Sequence, residues 1–150
     1  MKWLLDLLRN PFLLTAIIGW MTSQTMKIFT HAIVYKEWKP SRFFGDGGIP
    51  SSHAATVTSL AIFVGIKCGF ASVEFAIAMV LTMVVCRDAV GVRLETGKQA
   101  IILNEIKHLF DNEKIDEIKL KEFVGHTPVQ VVAGVLWGTT VAIIMSFILL

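Results

Sequence analysis

The chain has 150 residues, 54% of them hydrophobic and only 17% charged, with a net charge of +2. Soluble domains carry about 25% charged residues, so one membrane-embedded domain is expected. So small a positive charge, without a basic tract, argues against a nucleic-acid partner. Cys68 and Cys86 lie in or beside apolar runs without metal-type spacing and read as buried thiols.

The opening stretch "MKWLLDLLRNPF" has an early lysine, but Asp6 and Arg9 interrupt its apolar run and no small-residue cleavage site follows. It reads as a retained membrane anchor. Four apolar segments then read as membrane helices, at about 11–34, 50–68, 73–90 and 129–150. Pro11 suits the first position of a helix. A spanning helix needs about 20 residues, so the second and third spans must count their polar ends. The tight link from Lys67 to Ser72 makes these two spans a hairpin.

Residues 93–125 are polar and amphipathic. Ile102, Ile106 and Leu109 fall at helical spacing, and "DNEK" reads as a turn, which predicts a small extramembrane helical hairpin over about 97–123. With four spans, Lys2, Arg9 and Lys67 share one membrane face. The other face keeps six basic residues after four that a site could use are set aside, which predicts it to be cytoplasmic.

The polar interruptions of this chain converge on that second face. "GGIPSSHAATV" at 47–57 puts His53 at the start of the second span, and His126 stands at the start of the fourth. Asp88 and Arg93 lie where the third span ends, and Lys27 sits about 24 Å along the first helix from Pro11. An ionisable residue within a span is a functional candidate.

Together these groups suit phosphate binding and transfer. Gly47 and Gly48 allow close backbone approach, and the helix N-terminus that follows offers N–H groups and a positive dipole end. Ser51 and Ser52 add hydroxyls. Lys27, Arg42 and Arg93 can neutralise phosphate oxygens, while two histidines suit a nucleophile and a general acid. Each residue also has a plainer reading. The serines could only cap a helix, Lys27 could snorkel to the interface, and Arg42 and Arg87 could be ordinary juxtamembrane charges. His31 and His108 read as structural.

The segments "GGIPSSHAATV", "DAVGVRLETGKQAIILN", "LKEFVGHTPVQVVAG" and "SQTMK" resemble the signatures of the divergent branch of the phosphatidic acid phosphatase type 2 superfamily. The resemblance covers nearly the whole chain, with residues 35–46 and 108–118 matching least. It implies a helical membrane bundle that works by a metal-free phosphohistidine mechanism. By this match His126 is the nucleophile and His53 the general acid that protonates the leaving oxygen. Ser51 and the backbone near Ser52 hold phosphate, Arg93 clamps it, and Lys27 supplies the first lysine. "KEWKPSR", with Lys36 and Arg42, is the rival for that last role. The chain departs from the pattern at Gln130, where the branch usually carries a glutamate that orients the histidine. Asp88 or Glu122 could replace that carboxylate.

The expectation is therefore an all-α, multi-pass membrane protein of about four helices, with its site on the cytoplasmic face and no metal or other cofactor. Its partner would be a phospholipid or prenyl phosphate substrate, with a homo-oligomer possible. The alternative is an inactive or weakly active binder of anionic lipid, for which Gln130 is the best support.

Overall fold

The computed structural model describes residues 2–45, 47–106, 120, 122 and 125–149. Among these the chain forms helices and no strand. They are α1 (Lys2–Leu8), α2 (Pro11–Tyr35), a short 3-10 turn (Pro40–Phe44), α3 (Ser52–Cys68), α4 (Val73–Val90), α5 (Val92–Ile106) and α6 (Pro128–Leu149). The first arm of the expected hairpin falls within α5; most of the rest lies outside the described residues.

Local chemistry sets the helix ends. Asn10 caps α2 by accepting from Phe12 N at 2.9 Å and Leu13 N at 3.2 Å, with Pro11 in the first turn. Helices α1 and α2 meet there at a 50° bend. Between α3 and α4, Gly69 takes φ +97°, and the Ser72 hydroxyl caps α4 by accepting from Phe75 N at 3.1 Å.

The helix α3 is the centre of the bundle, packed against α2, α4 and α6. Ala54, Ala55, Ala61 and Phe63 on it are fully or almost fully buried. Small residues bring its neighbours close: a Cβ at Gly134 of α6 would lie 2.5 Å from the Ser51 backbone oxygen, and one at Gly138 would strike Ala55. Without a hydrophobic drive between helices in lipid, such close packing and interhelical hydrogen bonds hold a membrane bundle together. Here the Thr82 hydroxyl donates to Val57 O at 3.1 Å, joining α4 to α3. Trp137 Nε1 donates to Thr22 Oγ1 at 3.0 Å, joining α6 to α2.

The outward faces stay apolar. Val73, Ile77 and Val84 on α4 and Phe147 and Ile148 on α6 are all exposed. Among the described residues, two helical stretches are long and apolar enough to cross a membrane by themselves, α4 running on with α5, and α6; α1 with α2 adds a third if the bent pair is one span. At 17 residues, α3 is apolar but shorter than the roughly 20 that a bilayer asks for. The described part of the apolar stripe read in residues 93–125 does not face the core. Ile102 and Ile106 are exposed on α5, whereas Gly97 and Ala100 are its buried residues.

Candidate functional site

One end of the bundle gathers the N-termini of α3 and α6, the last turns of α2, and the junction of α4 with α5. Two backbone bonds join them. Ser51 N donates to Gln130 O, and His126 N donates to Ala89 O, both at 3.0 Å. The approach of the loop before α6 to α5 is so close that it admits only glycine at 125. A Cβ there would fall 2.7 Å from the Arg93 carbonyl carbon and collide with Leu94.

Within this frame the two histidines meet. His53, second residue of α3, and His126, buried just ahead of α6, bring Nδ1 and Nε2 respectively to 3.4 Å. On its other side, His126 Nδ1 lies 3.3 Å from Gln130 Oε1. The same amide oxygen accepts from Thr127 N at 3.0 Å, and Thr127 Oγ1 accepts from Gln130 N at 3.4 Å. Thr127 and Gln130 thus form a capping box for α6. The Thr127 N–H fixes which end of the amide is oxygen, so His126 Nδ1 must carry the proton. The lone pair of its ring is then on Nε2, toward His53.

Lys27 does not snorkel outward. It is 3% exposed, and its Nζ donates to Ser52 Oγ at 3.2 Å and to Gly45 O at 3.3 Å. The loop 47–50 is tied to α2 by Thr30 Oγ1, which donates to Ile49 O at 2.7 Å. Gly48 takes φ +89°, a conformation that favours glycine, and packs on the Lys27 stem. Ser51 is buried and caps α3 through its Oγ, which accepts from Ala54 N at 3.4 Å.

Arg93, beside Gly125, donates from Nε to Asp88 Oδ2 at 2.6 Å, with both side chains about two-fifths exposed. Of the two carboxylates that could stand in for a glutamate at 130, Asp88 therefore takes Arg93. The other, Glu122, accepts from Asn104 Nδ2 at 2.8 Å.

A cavity of about 670 Å³ opens over this end, lined among others by Lys27, Arg42, Gly48, Thr127 and Gln130. His53, His126, Ser51, Ser52, Asp88 and Arg93 are not among its lining residues, but Lys27 and Gln130, which are, reach Ser52 and His126 respectively. Arg42 reaches the cavity from the 3-10 turn. Its rival-motif neighbour Lys36 ends α2 at φ +55°, exposed. His31, expected from the sequence to be structural, also lines the cavity wall. The signal was its spacing: four residues beyond Lys27, it shares that helix face.

An all-α bundle with apolar outer faces and a polar cluster at one end defines an integral membrane protein with a polar pocket at that end of the bundle. The chain belongs to the divergent PAP2 family, whose family model matches residues 8–141. It is also similar to the uncharacterized membrane protein YuiD of Bacillus subtilis (strain 168), at 31% identity over 155 residues, covering 95% of this chain and 98% of that one. No solved structure matches the chain.

Proposed function

We propose that the protein is a metal-independent lipid phosphatase that hydrolyses a phosphomonoester or diphosphate on a phospholipid or prenyl phosphate through a phosphohistidine. The observation that carries this reading is the ring of His126. Its Nδ1–H is held by Gln130 Oε1, and the remaining nitrogen stands 3.4 Å from the second histidine.

In the first step His126 Nε2 attacks phosphorus, the bond from phosphorus to the leaving lipid oxygen breaks, and His53 gives that oxygen a proton. In the second, water attacks the phosphohistidine and gives a proton to His53. The P–N bond breaks, its electron pair returns to Nε2, and inorganic phosphate leaves. Lys27, Arg93 and the first turn of α3 oppose the charge on the phosphoryl oxygens. Asp88 holds the Arg93 fork in place.

On this reading the bundle crosses the membrane four times, with α3 as its short span and the site on the face richer in lysine and arginine, the cytoplasmic one. Phosphate release from phosphatidic acid, phosphatidylglycerophosphate and undecaprenyl diphosphate, by purified protein in detergent with EDTA, tests the enzyme. Release that depends on His126 supports it, and release that persists in His126→Ala overturns the nucleophile. A second reading rests on Gln130, a neutral amide against the imidazolium that catalysis would form. Retained lipid phosphate without turnover would favour a non-catalytic anionic-lipid binder.

A further inference from the structure

The cavity is much larger than one phosphoryl group needs, and its charge is lopsided. Among the described residues, four cationic side chains, Lys27, Lys39, Arg42 and Lys98, line it against two carboxylates, Glu37 and Glu122. Its wall also holds two buried nitrogens that have no hydrogen-bond partner among the described residues, His31 Nε2 and Arg42 Nε. Unmade bonds on buried polar atoms are rare and call for an explanation. The Glu37 carboxylate, 3.6 Å from His31 Nε2, is too far for a hydrogen bond and also pairs with Lys39.

These two nitrogens stand apart from the phosphate end of the cavity. His31 lies one helical turn beyond Lys27, about 6 Å along α2, and its ring packs tilted against Tyr35, ring centroids 4.6 Å apart. Arg42 comes from the 3-10 turn that also presents Gly45 O to Lys27. A guanidinium is always charged and suits phosphoryl oxygens.

We propose that His31 and Arg42 form a second anion subsite, which selects lipids carrying another phosphoryl group on the leaving-group side of the scissile one. This rests on the phosphatase reading for its substrate, though not for its binding chemistry. The shared feature is a pair of phosphoryl groups a short linker apart, joined directly as in a prenyl diphosphate or through glycerol as in phosphatidylglycerophosphate.

Two assays test it on the full-length protein in detergent. The first compares kcat/KM for farnesyl diphosphate with farnesyl monophosphate, and for phosphatidylglycerophosphate with phosphatidic acid. A preference of at least about tenfold for the two-phosphoryl partner is expected in one pair or both, given the strength of charge-assisted hydrogen bonds. The pair that shows it identifies the linker. His31→Asn and Arg42→Gln should each bring that ratio toward one, mainly through KM. The second measures calorimetric binding of methylenebisphosphonate against methylphosphonate. The bisphosphonate should bind about tenfold tighter in the parent and lose that margin in both variants.

Ratios near one in the parent, in both assays, overturn the subsite. So does a preference that survives both substitutions. Bisphosphonate selectivity without turnover of any lipid keeps the subsite and removes the phosphatase instead.

Discussion

The first turn of α6 holds the start of α3, because Ser51 N donates to Gln130 O at 3.0 Å while Gly134, one turn along, lies flat against Ser51. An alanine at 134 would put its Cβ 2.5 Å from the Ser51 oxygen and 2.9 Å from Ala54 Cβ. Backbone on one side and a packed helix on the other leave no room to yield. Gly134→Ala should therefore cost about 1–3 kcal/mol through overpacking. It should also disturb Ser51 and Ser52, the serines of the proposed phosphate cradle. A lowered thermal midpoint in detergent, with Val132→Ala on the exposed face of the same helix nearly unchanged, is the expected pattern.

Gln130→Glu should strengthen catalysis. The carboxylate can take both bonds that Gln130 Oε1 now makes, to Thr127 N and His126 Nδ1, so the capping box survives. It adds a negative charge beside the imidazolium that forms on attack. In the serine protease triad the reverse change, carboxylate to amide, lowers kcat about 10⁴-fold. A gain of at least about tenfold in kcat is expected here, read from phosphate release. No gain, with the protein folded and lipid bound, would remove Gln130 from the reaction.

Lys27→Met should separate activity from stability. A buried ammonium carries a desolvation cost that a methionine of similar shape does not, which offsets the loss of its bonds to Ser52 Oγ and Gly45 O, so the thermal midpoint should change little. Phosphate affinity should fall, because a charge-assisted hydrogen bond is worth about 1.5–3 kcal/mol. A drop of at least about tenfold in kcat/KM alongside a nearly unchanged midpoint is the signature. A large fall in both would mean that Lys27 is chiefly structural.

The Arg93–Asp88 pair is half open to solvent, and exposed pairs contribute about 0–1 kcal/mol. Asp88→Asn should accordingly leave the thermal midpoint almost unchanged. Its effect should show in turnover, where Arg93 loses the partner that sets its fork. A several-fold loss of kcat, partly mirrored by Arg93→Lys, is expected from steady-state kinetics.

Much of this arrangement can be read before any coordinates. Apolar runs mark the helices, and the depth of Lys27, His53 and His126 along them brings these residues to one end. What the runs do not encode is the facing of polar side chains across helices. Arg42 and Lys36 look alike in a sequence, yet a left-handed turn at Lys36 sends one outward while the 3-10 turn carries the other in. His31 does not stand out in the sequence, because nothing beside it is polar in a suggestive way; its meaning comes from the loops packed opposite. The double role of Gln130 was half visible, since Thr127-x-x-Gln130 is a capping-box pattern. That the same oxygen serves a histidine depends on the loop being pressed against α5 at Gly125.

The brevity of α3 bears on the membrane itself. Seventeen residues make a rod of about 26 Å at the helical rise, below the roughly 30 Å of an average hydrocarbon core. Because the proposed phosphate cradle begins at its first turn, a bilayer of greater thickness would set the pocket deeper beneath the head groups or be drawn thin around it. On the proposed placement, acyl-chain length then acts as a control on turnover. The same protein in short-chain and long-chain vesicles should work at different rates on one unchanging head group.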